Sequence, residues 1–440
     1  MKPYPKYKDS GVEWIGEVPA GWNVVPLKHL AEFINGDAFK PTEWAVSGTP
    51  IIRIQNLNGG EDFNYYAGEV EQRYLVYDGD LLFGWSGNRG TSFGPFLWTR
   101  KEVCVLNQHI FRVIPNSADK RSLFWMLKAA TAHVEDQAHG IIGMVHVTKG
   151  ALGAISVPLP RLPEQIAIAA FLDRETARLD ALIAKYCSMI DLLREKRQAM
   201  ISRAVTKGLD PTVAMKDSGV EWLGEVPAGW RVGALKLFLD ENLTYGANES
   251  ADHANPEDPR YIRITDVDSN GKLRPDTFRS LPPEIAMPYM LKDGDILLAR
   301  SGATVGKTFL YRDTMGPCCF AGYLIRARFS ISMTPNYANF FFSSLSYRAY
   351  IDSDQIQSTI QNVSAERYGS MVLPCPSIAE QQSIATFLDR ETAKIDTLIQ
   401  SAEKAITLTQ ERRSALISAA VTGRIDCRSE INEAVLEDAA

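Results

Sequence analysis

One passage occurs twice in this chain. Residues 8–22 read KDSGVEWIGEVPAGW and residues 216–230 read KDSGVEWLGEVPAGW, fourteen of fifteen positions identical at an offset of 208. A second pair begins at Glu164 (EQIAIAAFLDRETARLDALI) and Glu380 (EQQSIATFLDRETAKIDTLI), offset by 216. That register runs on into EKRQAMISRAVTKG at 195–208 and ERRSALISAAVTGR at 411–424. A chain that restates itself over such a period folds as two copies of one plan, and 440 residues suffice for that. Between these anchors only a skeleton survives. Arg53-Ile54 answers to Arg263-Ile264, Asp78-Gly79-Asp80-Leu81-Leu82 to Asp293-Gly294-Asp295-Ile296-Leu297, Ser86-Gly87 to Ser301-Gly302, and Pro158 and Pro160 to Pro374 and Pro376. Near-identical ends around divergent interiors suit one scaffold carrying two specificities. Drift after duplication would not leave the ends so alike and the middles so different.

The segment from Glu164 to Gly208 has no internal proline or glycine, and its apolar residues recur by seven. Leu172, Leu179, Tyr186, Leu193 and Met200 form one row; Thr176, Ile183, Ile190, Arg197 and Ala204 form the other. The second copy keeps both rows: Leu388, Ile395, Ala402, Thr409 and Leu416, with Thr392, Ile399, Ile406, Arg413 and Ala420. This is the a/d seam of a coiled coil, with Gly208 and Gly423 as C-terminal stops. Neither helix hides its stripe alone, so each is the natural partner of the other. Because a globular module separates them in sequence, the pairing is expected to be antiparallel, with pseudo-twofold symmetry. The imperfect seam positions Arg197 and Arg413 belong near helix ends or facing another chain.

The segments 23–160 and 231–376 carry β-like runs at 50–54, 80–83, 108–113, 261–265, 296–298 and 323–329 between Gly and Asp turns, with helical patches near 121–134 and 335–350. The expected fold class is α+β: two tandem modules, each followed by a long helix. The reading divides the chain into a first module (1–160), a first helical region (161–208), a linker (209–216), a second module (217–376), a second helical region (377–425) and an acidic tail (426–440).

The net charge of −6 argues against a uniformly basic coat but leaves room for a local basic groove, which is what phosphate contact needs. No apolar run reaches membrane-spanning length and the N-terminus has no apolar signal core, so no membrane role and a cytoplasmic location are expected. The six cysteines form no C-x-x-C pair and read as reduced, mostly buried thiols. The six histidines show no tight ligand spacing; His139 and His146 are the nearest pair, and no metal site is expected.

The W-[IL]-G-E-V-P-A-G-W opening, the G-D-[IL]-L-x-x-x-S-G turn, the P-x-P…E-Q…FLDRETA helix and the closing A-V-T-x-G (AVTKG in the first copy, AVTGR in the second) resemble specificity subunits of Type I restriction–modification systems. The motifs are found in both copies and span about residues 8–426. The resemblance implies that each module is a target-recognition domain reading one half of a bipartite, asymmetric double-stranded DNA target, with the helices setting the gap. It further implies two methyltransferase subunits, which use S-adenosylmethionine, and two ATP- and Mg-dependent translocase–nuclease subunits as partners. The chain itself would then bind no cofactor and have no catalytic residue. One departure stands out: Trp85 precedes Ser-Gly in the first module where the second has Arg300.

Ser301 to Thr308 (SGATVGKT) nearly matches a phosphate-cradling loop, but Ser301 replaces the first glycine and the first copy has no lysine there. A Gly-rich polar loop with Arg300, Ser301, Thr304 and Lys307 fits DNA better, as do Ser86, Asn88 and Arg89. Arg53, Gln55 and Asn56 follow a β run; arginine suits guanine and amides suit adenine, and Arg263, Thr265 and Asp266 are their counterparts. The amide-rich run Gln355, Gln357, Gln361 and Asn362 could read bases, though a solvated loop is the simpler reading. No adenine-methylation motif and no nuclease carboxylate cluster is evident. A coiled-coil adaptor without DNA reading remains the alternative, disfavoured by divergent polar loops on a duplicated frame.

Overall fold

The computed structural model describes residues 3–137, 144–268, 271–355 and 362–428. The acidic tail beyond Arg428, His139, Gln357 and Gln361 lie outside the described residues. The chain divides into two compact units: residues 1–186 with 404–440, and residues 187–403. Each unit therefore holds one module, the adjoining half of one long helix and the far half of the other.

Both long helices form as the heptad pattern predicts, Leu162–Lys207 and Ile378–Val421. Gly208 and Gly423 end them with φ of 73° and 74°, the left-handed conformation glycine adopts without strain. In the first unit Leu172 and Phe171 share a core with Ile417, Ala420 and Val421, and Asp180 pairs with Arg413 at 2.8 Å. In the second unit Ile201, Ala204 and Val205 share a core with Ile384, Ala385 and Leu388, and Arg197 pairs with Asp396 at 3.1 Å. Rising numbers on one helix meet falling numbers on the other in both units, which is antiparallel pairing. The seam residues Leu172, Leu179, Ile190, Leu388 and Ile395 are buried, while Ile183, Tyr186, Leu193, Met200, Ile399, Ile406 and Leu416 are half-buried. Arg197 and Arg413 each reach a carboxylate on the facing helix.

The twice-written opening motif is a seat for a helix end. In the first unit it forms the hairpin Tyr7–Asp9 with Glu17–Pro19, and buried Trp22 lies against Gly423 at the end of the second helix. In the second unit Met215–Asp217 pairs with Glu225–Pro227, and Trp230 lies against Gly208 at the end of the first. The compact units thus cut each long helix near its middle, because the last turns of each helix are buried by the opening motif of the other module. The buried Gln165 and Gln381 repeat one further joint: each amide donates to a proline carbonyl (Pro160, Pro376) and accepts a backbone N–H (Asp119, Thr334).

The module sheets repeat as well. In the first, strands 94–97, 81–84, 110–115 and 31–35 lie side by side in that order. In the second, 308–310, 296–299, 324–327 and 244–245 take the same order. A parallel pairing then follows in each: Val105 beside Ile51, and Cys319 beside Tyr261. The helical patches form Lys120–Gln137 in the first module, and Pro335–Phe341 with Leu345–Gln355 in the second. All six cysteines are free and five are buried; burial pushes the Cys104 and Cys318 thiols up to about 11, so they are inert at neutral pH.

Candidate nucleic-acid interface

The β runs expected at 50–54 and 261–265 stop early, at Ile52 and Ile262. Arg53 and Arg263 instead open short helical turns. The backbone N–H of Arg53 is accepted by the Asn56 side chain at 2.9 Å, and that of Arg263 by Asp266, also at 2.9 Å. Asn56 is 3% exposed and its NH2 donates to the carbonyls of Gly60 and Asp62. Its amide is consumed inside the protein and is not presented to a base, contrary to the sequence expectation. The guanidinium of Arg263 makes a bidentate pair with buried Asp266, and that of Arg53 bonds Asn64 and stacks over Trp44 at 4.9 Å. Gln55 and Thr265, at matching places, are exposed. We expect Asn56→Ala to lower stability by about 1–3 kcal/mol, the penalty for stranding buried polar partners, with the target sequence unchanged. Gln55→Ala should show the reverse: unaltered denaturation and an altered target. Calorimetry alongside target mapping checks both, and a changed target in Asn56→Ala would return that residue to the interface.

The near-phosphate loop is a hairpin turn. Gly302–Thr304 forms a single 3-10 turn, and a strand, Thr308–Leu310, follows where a phosphate loop would start a helix. Lys307 donates its ammonium to the Val267 carbonyl at 2.8 Å, and half-buried Thr304 donates to the Ser301 carbonyl. Ser86 is buried in a strand facing His146, as Ser301 faces Asn362. Asn88 is exposed at the matching turn of the first module, and Arg89 pairs with Asp136 at 3.2 Å. Arg300 remains at the surface, its guanidinium 4.6 Å over the Tyr245 ring with Nε donating to Asn362.

Behind these loops each sheet is braced by ion pairs on or beside its own strands. Arg112 meets Asp80 at 3.0 Å, and Arg328 binds buried Asp295 and Glu241 at 2.7 Å each. The hydrogen bond from Arg328 holds the Glu241 carboxyl below its ordinary range. These carboxylates mark the frame, not a catalytic cluster.

In the first module Arg53, Gln55, Asn58, Asn88, Asn107 and His109 border a cavity of about 460 Å³. Asn107 and His109 were not singled out by sequence. They lie on the turn between strands 104–106 and 110–115, a position only the pairing reveals. Its polar lining consists of amides, an imidazole, a guanidinium and the Thr91 and Ser92 hydroxyls, groups that donate and accept hydrogen bonds to base edges. Among the described residues no group of three His, Cys, Asp or Glu side chains could hold a metal ion, and no helix is long and apolar enough to cross a membrane.

Two copies of one α+β module, each presenting different polar side chains on a common frame, define a tandem recognition protein. The family model for the Type I restriction modification DNA specificity domain matches residues 19–185 and again 246–408. The chain belongs to that family, whose members recognise DNA sequence and are specificity rather than catalytic subunits. It is 23% identical over 431 residues to the Type I restriction enzyme EcoBI specificity subunit of Escherichia coli, covering 95% of this chain and 89% of that protein. It is 21% identical over 449 residues to the EcoKI specificity subunit of Escherichia coli strain K12, covering 93% and 90%. A chain from a solved type I restriction–modification assembly shares the fold with a TM-score of 0.71 at 16% identity, over 93% of this chain and 99% of that one. The HsdS subunit of Thermoanaerobacter tengcongensis aligns with a TM-score of 0.51 at 17% identity, over 93% and 98%.

Proposed function

We propose that this chain is the DNA-reading subunit of a Type I restriction–modification enzyme, each module reading one half of a bipartite asymmetric target and the paired helices setting the spacer. The single observation that carries this reading is the repetition of one frame with unlike polar surfaces. Identical joints at Gln165 and Gln381 and at Trp22 and Trp230 hold modules whose surface residues differ. Two methyltransferase subunits, supplying S-adenosylmethionine-dependent adenine methylation, and two ATP- and Mg-dependent translocase–nuclease subunits complete the assembly, in the cytoplasm where the DNA lies. The helices offer such partners exposed apolar side chains: Leu182 and Leu408 in the first unit, Met189, Leu192 and Leu398 in the second. Large apolar side chains left in water mark contact surfaces when they cluster. The residues for DNA contact in this reading include Gln55, Asn88 and Arg89 in the first module and Thr265 and Arg300 in the second, with Arg53, Ser86, Arg263, Ser301, Thr304 and Lys307 shaping the backbone beneath them.

The test is exchange. Residues 231–376 replaced by the corresponding module of another specificity subunit, in complex with methyltransferase subunits, should alter one half of the methylated target and leave the other half and the spacer alone. A variant complex in which both halves change would contradict independent reading by the two modules.

A further inference from the structure

Strand register allows the two modules to be superposed residue by residue without reference to side chains. Phe83 pairs with Phe111, and Phe111 with Asn35; in the second module Leu298 pairs with Ile325, and Ile325 with Tyr245. Asn35 and Tyr245 therefore occupy one position. Two strand residues further on, Trp85 and Arg300 occupy another. The N–H of Trp85 donates to the His109 carbonyl at 3.2 Å and that of Arg300 to the Tyr323 carbonyl at 3.1 Å, so His109 and Tyr323 correspond. The carbonyl of Trp85 accepts from Val147 at 3.0 Å and that of Arg300 from Val363 at 2.8 Å, which matches His146 to Asn362.

These four positions share their backbone hydrogen bonds and nothing of their chemistry. The first module carries an amide, an indole and two imidazoles; the second carries a phenol, a guanidinium, a second phenol and an amide. In each module the central side chain touches two of the others. Trp85 lies 5.4 Å from His109 and 4.8 Å from His146, ring centre to ring centre. Arg300 lies over Tyr245 and bonds Asn362. All are exposed or half-exposed, Tyr323 at 72%. The backbone next to the first position cannot vary: a Cβ at Gly36 would come within 2.2 Å of the Leu106 and Asn107 carbonyl oxygens, and one at Gly246 within 2.2 Å of that of Phe320. One backbone arrangement carrying unlike surface side chains at four matching positions is what a substitutable reading head requires.

Resting on the proposed function, we infer that these four positions form the principal base-reading surface of each module, and that in the second module Arg300, flattened against Tyr245 and steered by Asn362, reads guanine. A planar guanidinium presented edge-on offers two parallel donors to the O6 and N7 of guanine in the major groove. The first module has no arginine or lysine at these positions, so its surface reads through Asn35, His109 and His146 and through contact with Trp85.

The test uses the chain assembled with its methyltransferase subunits, and reads methylation across a randomised set of targets. Arg300→Gln and Tyr323→Ala are expected to relax one base pair each in one half-site, with discrimination falling roughly 10- to 100-fold there and the other half-site unchanged. His109→Tyr should do the same to the other half-site. Tyr323 is so exposed that its removal leaves folding alone, and assembly is checked by sizing. Unaltered discrimination in Arg300→Gln and Tyr323→Ala, in a complex that still reads a bipartite target, overturns this inference and spares the function. A uniform weakening with a shallower salt dependence also overturns it, marking phosphate contacts instead. A wild-type complex without bipartite preference would overturn the function itself.

Discussion

Trp22→Ala is expected to cost the first unit about 3–5 kcal/mol, the range for emptying an aromatic-sized site in a packed core. Trp22 is 1% exposed, its indole lies edge-on to Tyr4 at 5.5 Å, and its ring sits under the glycine that ends the second long helix. It touches the same core as Ile417, Ala420 and Val421, so its loss frees residues distant in sequence as well as its own hairpin. Trp230→Ala should act alike on the second unit, where Trp230 shares a core with Ile201, Ala204 and Val205. Because the two tryptophans share no partners, the double variant should lose close to the sum of the two effects. Chemical denaturation followed by far-UV circular dichroism measures this. A loss below about 1 kcal/mol in Trp22→Ala would mean that the opening motif is not the seat of the helix end. Gly423→Ala is a sharper probe of the same joint, since a Cβ there would fall 2.4 Å from Pro19 and φ is +74°.

One heptad inserted into each long helix at matching heights, after Tyr186 and after Ile406, is expected to lengthen the nonspecific spacer of the DNA target by about three base pairs. The heights match because Asp180 opposite Arg413 and Arg197 opposite Asp396 lie on one antiparallel register. Seven helical residues add about 10 Å, and base pairs step about 3.4 Å along duplex DNA. A heptad returns the apolar stripe to the same face, so the seam survives. The place of insertion matters. Near Ala204 an insertion would withdraw buried Val205 and Gly208 from Trp230 and unmake the second unit's core. Mapping methylated adenines made by the altered complex tests the ruler: an unchanged spacer in an active complex would show that helix length does not set it, and altered half-site bases would show that the helices touch recognition.

Much of this architecture was readable before any coordinates. The duplication forces two modules because near-identical segments meet near-identical physics, and the heptad rows force a helix pair because an apolar stripe some 40 residues long must be covered. Gly208 and Gly423 marked the helix ends because few other residues accept positive φ. Sequence alone did not reveal that each opening motif grips the end of the other module's helix, since that contact joins residues about four hundred positions apart in one unit. Nor could it separate Gln55 from Asn56, neighbours of equal hydrogen-bonding capacity: a helical turn points one outward and buries the other as a cap. Lys307 looked like a phosphate ligand until a hairpin carried its ammonium to the Val267 carbonyl. His109 and Tyr323 had no sequence signal at all, because their equivalence lies in backbone hydrogen bonds to Trp85 and Arg300. Periodicity and repetition are local properties of a chain and can be read along it. Which polar side chain faces solvent depends on strand register and on what packs behind it, and only the tertiary structure decides that.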